Sequence, residues 1–249
     1  LEYFDKDSAS IFYPDLPELV ASTHGTQLRR EHKLHRQSAM LTVLDHPLVK
    51  RDITVLRDSE TSTPVFRATM RRIGALLAAE AARHIQLRTV QVRTPLEVTD
   101  GAVFAGDVIL VPVLRAGAGL VEPFLDIIPD AKIGYMGLRR NEETLQTEEY
   151  YFNSPKPHRD SLVLLLDPML ATGGSVCSSL ERLQRISSDG NVDNVIVVSV
   201  IAAPEGVKRV CELFPTVRII TAALDRQLNA VGYILPGLGD AGDRYHGTT

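Results

Sequence analysis

Apolar residues gather in short blocks along this chain. Val108 to Leu114 (VILVPVL), Leu162 to Leu166 (LVLLL), Val195 to Ala202 and Val217 to Leu224 are nearly continuous apolar runs closed by polar or small residues. Runs of this kind suit strands buried on both faces of a parallel sheet. Lys132 to Met136 reads as a shorter strand. Pro112 has no N–H to give a ladder, so the first run is predicted to end there. Between the runs the period changes. After Thr63-Pro64, a capping hydroxyl with Pro at the first helical position, residues Phe66, Met70, Ile73 and Leu77 fall on one helical face. Val176, Leu180 and Leu183 give a second helix from Ser175, ended by Asp189-Gly190. Pro204 opens a third with Val207, Val210, Cys211 and Phe214 on one side. Strands alternating with helices predict an α/β protein with a mainly parallel sheet and right-handed crossovers.

Other stretches lack such order. Leu1 to about Gly25 has no clear period, and residues 1–45 read as an N-terminal extension to a domain spanning 46–249. Leu138 to Asp160 is long, polar and charged. A loop of this length is usually a functional lid or disordered, and a flexible arm beginning at Arg139-Arg140 is the favoured reading. Gly232 to Gly247 contains five glycines and leaves little room for regular structure. Arg67, Arg71 and Arg72 lie off their helix's apolar stripe. A solvated face explains them, and an effector phosphate is the alternative use.

The totals exclude several classes. The chain has 249 residues, 27 Lys plus Arg against 31 Asp plus Glu, and a net charge of −4. Nothing in this balance points to nucleic acid or a membrane as partner. Cys177 and Cys211 form neither a disulfide framework nor a zinc set, which fits a reducing compartment. Cys211 reads as core. Cys177, in the first turn of its helix, reads as packing rather than a stabilised thiolate. His24, His32 and His35 accompany the basic stretch Arg29 to Arg36, a solvated helix face rather than a metal site. No apolar run approaches a membrane span and no signal peptide is visible. The sequence begins at Leu1 rather than Met, so a missing natural N-terminus is the expectation.

Candidate chemistry concentrates in four segments. Asp167 stands where the LVLLL strand ends, the place where ligands bind in parallel sheets. Thr172, Gly173, Gly174 and Ser175 follow as a helix starts, offering hydroxyls and backbone N–H groups to a phosphate. Arg115, in Arg115-Ala116-Gly117-Ala118-Gly119, and Arg140 supply positive charge for further phosphates. The tail from Ile234 to Ala241 exposes backbone for a flat polar ligand read at its edge. Gly237-Leu-Gly239-Asp-Ala-Gly242 matches G-x-G-x-x-G, but too little chain follows for a dinucleotide βαβ unit, and no Gly-Lys-Ser/Thr exists for a Walker A loop. The set suits a phosphorylated sugar plus a small base.

These motifs resemble uracil phosphoribosyltransferase. They are DPMLATGGS at Asp167 to Ser175, LRAG at Leu114 to Gly117, RNEET at Arg140 to Thr144, AAPEG at Ala202 to Gly206, GYILPGLGDAGDR at Gly232 to Arg244, and HPLV at His46 to Val49. The resemblance implies a type I phosphoribosyltransferase fold: a mainly parallel sheet flanked by helices, a flexible arm and a C-terminal hood. It implies transfer of phosphoribosyl from 5-phosphoribosyl 1-pyrophosphate (PRPP) to uracil, giving UMP and pyrophosphate in pyrimidine salvage. Carried over by position, Asp167, Pro168, Met169, Leu170, Ala171, Thr172, Gly173, Gly174 and Ser175 would bind the ribose and its phosphate. Arg115 and Arg140 would hold the pyrophosphate. Ile234, Gly239, Asp240 and Ala241 would meet uracil, with Asp240 also placing the donor. Asp240, Arg115 and Arg140 would be the residues closest to catalysis. Many phosphoribosyltransferases carry two adjacent acids where Asp167-Pro168 stands. The uracil enzymes share the Pro, which implies Mg2+ held mainly by PRPP and water rather than by protein ligands. Where the family usually has Phe before the final Gly-Thr, this chain has His246. The family also implies a cytoplasmic homodimer or homotetramer, with GTP as an effector of some members.

Overall fold

The computed structural model describes residues 40–140 and 147–248, apart from the side chains of Arg140 and Thr147. His24, His32 and His35, most of the extension, and the Asn141 to Thr144 part of RNEET lie outside the described residues.

In chain order the strands are β1 (Leu41–Val43), β2 (Leu87–Arg93), β3 (Val98–Phe104), β4 (Val108–Leu114), β5 (Lys132–Ile133), β6 (Tyr135–Arg140), β7 (Thr147–Asn153), β8 (Leu162–Leu166), β9 (Met169–Leu170), β10 (Val195–Ala202), β11 (Arg218–Leu224), β12 (Gln227–Leu228) and β13 (Ile234–Leu235). The helices are α1 (Pro47–Arg57), α2 (Thr63–Ala82), α3 (Val121–Ile127), α4 (Gly174–Ile186), α5 (Pro204–Leu213) and α6 (Ala241–His246), with a 3-10 turn at Ala116–Leu120. The main sheet runs β1-β11-β10-β8-β4-β6-β7 and is parallel except for the β6–β7 pair.

The continuous apolar runs are buried on both faces, as a covered parallel sheet requires. Leu162, Leu164 and Leu166 of β8 pack with Phe66, Met70, Ile73 and Leu77 of α2 on one side. Val163 and Leu165 pack with Val176, Leu180 and Leu183 of α4 and Val207 and Val210 of α5 on the other. The predicted stripe of α2 is thus its core face. Each such side chain contributes about 1.5–3 kcal/mol on burial.

Several expectations are corrected. Ser62 rather than Thr63 caps α2, and no side-chain hydrogen bond closes the cap. Arg67, Arg71 and Arg72 are not a merely solvated face. Arg72 grips the buried Asp52 of α1 at 3.0 Å through two nitrogens, and Arg71 pairs with Asp126 of α3 at 2.8 Å. Arg67 donates to the Tyr245 carbonyl of α6 at 2.6 Å. β4 does not stop at Pro112. The neighbouring chain there changes from β5, opposite Ile109 and Leu110, to β6, opposite Val113 and Leu114, so the missing N–H falls at a gap in that ladder. The expected single strand Lys132 to Met136 is broken at Gly134 for the same reason.

Among the described residues, the polar stretch Leu138 to Asp160 is largely strand rather than loop. β6 and β7 pair antiparallel from Tyr135↔Asn153 to Arg140↔Thr147. Tyr150, Tyr151 and Phe152 are good strand formers, and Phe152 packs on the second core cluster beneath the Arg182 guanidinium of α4 at 4.5 Å. An edge pair with one anchoring aromatic needs no apolar alternation. The β2–β3 hairpin was equally silent in the sequence, since nearly every residue on both its faces is exposed.

Candidate active site

Strand order reverses between β4 and β8. β4 feeds β5 and β6 on one side, while β8 lies on its other side and leads to β10 and β11. A crevice at the carboxyl ends of strands follows from that reversal. Arg115 leaves β4 there, and Asp167 leaves β8.

Asp167 remains tied to the sheet by its N–H, which donates to the Val198 carbonyl at 3.0 Å. Its Oδ1 accepts from the Met169 N–H at 3.2 Å. Burial pushes the carboxyl up to about 6, and that backbone bond offsets only part of the cost. The expected loop Pro168 to Gly174 is partly strand. The Pro168 carbonyl accepts from the Val200 and Ile201 N–H groups, and β9 continues the edge beside β10. Gly173 then takes the left-handed conformation (φ +77°) that caps α4, and the exposed Thr172 precedes it. The first-turn N–H groups of a helix have no partner within it; that of Gly174 donates to Thr172 Oγ1 at 3.4 Å, and Ser175 follows it beyond the sheet edge.

The AAPEG turn braces this loop. A β-carbon on Gly206 would lie 2.3 Å from the Ala171 carbonyl oxygen, so only glycine lets the loop rest on the start of α5. Glu205 accepts from the Leu228 N–H at 3.0 Å and so also holds the glycine-rich tail.

That tail is more regular than expected. β12 and β13 form a small antiparallel pair, and Asp240 caps α6 by accepting from the Asp243 N–H at 2.9 Å. Asp225, a second carboxylate at a strand end, anchors the turn. It is buried, accepts from the Gly237 N–H at 2.8 Å and forms an ion pair with Arg57, whose Nη1 also donates to the Gly237 carbonyl at 2.9 Å. Arg244 holds the same segment from its far end. It donates to the Leu238 carbonyl at 2.8 Å and to the carbonyls of Leu56 and Asp58 that α1 leaves open. Sequence reading passed over Asp225, Arg57 and Arg244. A carboxylate directly after an apolar strand was the available signal, but its partner lies 168 positions away.

The two halves meet around a cavity of about 320 Å3. Asp167, Met169 and Ala171 line one wall, and Ile234, Gly239, Asp240 and Ala241 line the other. Ala116, Gly242 and the unpredicted Val231, Gly232 and Tyr233 complete it. Pro168 and Leu170 are buried behind the wall, and Thr172 to Ser175 lie beyond the lining at the start of α4. Arg115 stands next to the cavity, exposed, in an ion pair with Asp243 at 3.0 Å. The backbone of Arg140 ends β6, and its side chain is outside the described residues. His246 packs edge-on against Tyr245 with ring centroids 5.2 Å apart, and its Nε2 is 3.4 Å from the Arg115 carbonyl. Cys177 is buried, and burial raises its thiol, which fits packing. No helix among the described residues is long and apolar enough to cross a membrane.

Chemically, this arrangement offers a partly desolvated carboxylate, an anion cradle and a backbone-lined slot around one cavity. Comparisons with known proteins identify the family. The sequence model of the family described as uracil phosphoribosyltransferase matches residues 43–248. The chain is 45% identical over 206 residues to a uracil phosphoribosyltransferase of Fervidobacterium nodosum, covering 82% of this chain and 98% of that one. It is 46% identical over 207 residues to that of Limosilactobacillus fermentum, covering 83% and 97%. The solved structure of the AQ2163 protein from Aquifex aeolicus superposes with a TM-score of 0.76 at 39% identity, covering 84% of this chain and 99% of that one. A match over this length means that the chain belongs to the uracil phosphoribosyltransferase family.

Proposed function

We propose that this chain transfers the phosphoribosyl group of PRPP to uracil, forming UMP and pyrophosphate. The observation that carries the reading is the shared cavity, with the Asp167 loop on one side and the backbone of Ile234, Gly239, Asp240 and Ala241 on the other. The ribose hydroxyls meet the Asp167 carboxylate, and the 5′-phosphate sits on Thr172 to Ser175 at the start of α4. Arg115 and Arg140 take the pyrophosphate. Uracil is selected by hydrogen bonds to backbone groups of the hood. A base that leaves those groups unpaired pays their desolvation cost.

In the reaction the bond from C1′ to the pyrophosphate oxygen breaks, the N1–C1′ bond forms, and the N1 proton passes to water. Rate enhancement comes from positioning two bound reactants and from arginines aimed at the leaving charge. Asp240 places the donor. One of its oxygens is engaged in the α6 cap, and the other has no partner among the described residues.

The residues fit Mg2+ carried by the donor. Among the described residues no three His, Cys, Asp or Glu side chains converge, and Mg2+ commonly keeps water and phosphate oxygens as ligands. When bound with PRPP, the ion neutralises pyrophosphate charge.

Residues 46–249 form the transferase domain in this reading, and residues 1–45 an extension whose Leu41–Val43 adds a strand beside β11. A homodimer or homotetramer is supported by the apolar side chains Leu87, Val92, Leu96 and Val98 left exposed on the β2–β3 hairpin. A cytoplasmic setting is supported by the two unpaired cysteines.

The test is UMP formation from PRPP with uracil, cytosine, hypoxanthine and orotate in competition, with and without GTP. Uracil alone should react, and Asp167→Asn and Arg115→Ala should each lose most turnover. Unimpaired turnover in both variants, or preference for another base, refutes the assignment.

A further inference from the structure

We propose that Asp243 is a positioning residue that couples the base pocket to the pyrophosphate side of the site by holding Arg115. This rests on the uracil and PRPP assignment above. Asp243 Oδ1 lies 3.0 Å from Arg115 Nη2 and also accepts from Thr248 Oγ1 at 2.7 Å. The same residue's N–H is the donor that Asp240 caps at 2.9 Å. Asp240 and Ala241 line the cavity, so a single turn of helix joins the base-facing backbone to the pyrophosphate-facing guanidinium. Two further contacts fasten that turn to the segment after β4. His246 Nε2 is 3.4 Å from the Arg115 carbonyl, and Tyr245 lies over Gly119, where a β-carbon would come within 2.7 Å of the ring.

The ion pair uses one edge of Arg115. A guanidinium has further N–H donors, and none of these is engaged elsewhere among the described residues, so phosphate oxygens can take them while Asp243 keeps the first. Arg115 is 58% exposed and Asp243 33%, so the pair is weak enough to shift when an anion binds. A displacement of Arg115 toward pyrophosphate draws on Asp243, and through its N–H on the Asp240 cap. Occupancy of one half of the site is then felt in the other, and linkage makes the effect reciprocal.

The experiment uses the full chain with UMP and pyrophosphate as probes. In the unsubstituted protein UMP should tighten pyrophosphate binding, measured by titration calorimetry. Asp243→Asn should reduce that tightening to less than about twofold and raise the KM for PRPP by about fivefold, the scale of a partly exposed ion pair. Its effect on kcat should be smaller, and Asp243→Glu should restore part of the loss. In an Arg115→Ala background, Asp243→Asn should add less than about twofold, because interacting groups are not additive. Unchanged UMP–pyrophosphate coupling in Asp243→Asn, or full additivity with Arg115→Ala, overturns the proposal. Failure of the unsubstituted chain to make UMP from uracil instead overturns the reaction on which it rests.

Discussion

Asp167 is held in a place that disfavours its own charge. Its carboxyl is raised from 3.8 to about 6 by burial, against one backbone hydrogen bond. A carboxyl whose folded value is raised is easier to protonate in the fold than in the unfolded chain. It therefore destabilises the fold fully above about pH 6, and the penalty fades as pH falls toward 3.8. The difference corresponds to about 3 kcal/mol at pH 7.5 and to about half that at pH 5. Asp167→Asn removes the charge and keeps an oxygen for the Met169 N–H. The unliganded variant should be more stable at pH 7.5 by up to about 3 kcal/mol, or roughly 6–12 °C in Tm for a chain of this size. Thermal melts of both proteins at pH 7.5 and pH 5 would show the gap narrowing at the lower pH. PRPP should raise the Tm of the unsubstituted protein more than that of the variant, because the ribose hydroxyls lose their anionic partner. A variant no more stable at pH 7.5, or one whose gain is the same at pH 5, would refute the reasoning that buried charge at this strand end is retained for ligand binding at the expense of stability.

Other perturbations test how the two halves of the site are held. Arg57→Ala leaves the Asp225 carboxylate buried without its cation, and should cost about 3 kcal/mol in denaturant melts and raise the KM for uracil more than that for PRPP. Gly206→Ala forces the Ala171 carbonyl away from α5. It should cost about 1–3 kcal/mol and raise the KM for PRPP, with uracil affinity little changed. Equal effects on both substrates would argue against the loop assignment. Arg182→Ala removes the guanidinium over Phe152 and its contact with Glu149 at 3.3 Å. Hydrogen exchange should then quicken in β7 and not in β8, by the equivalent of about 1 kcal/mol.

Most of the scaffold was legible because it obeys local rules. The buried runs at Leu162 to Leu166 and Val195 to Ala202 are strands to the residue, and the stripe Phe66, Met70, Ile73 and Leu77 is the core face of α2. The place of Asp167 and the small residues after it could be read from spacing alone, since a strand end and a helix start adjoin there within a few positions. Elements whose stability comes from distant partners were not legible. Pro112 sits within a strand because two neighbouring strands leave a gap beside it, and the arm's polar strands form because Phe152 finds Arg182. The glycine-rich tail becomes a hood through Asp225, Arg57, Glu205 and Arg244, whose partners lie far away in the chain. Hydrophobic periodicity records only whether a side chain faces the core. It carries no record of which buried carboxylate meets which arginine, and those pairings bring the loop after β8 and the backbone of the glycine-rich tail around one cavity.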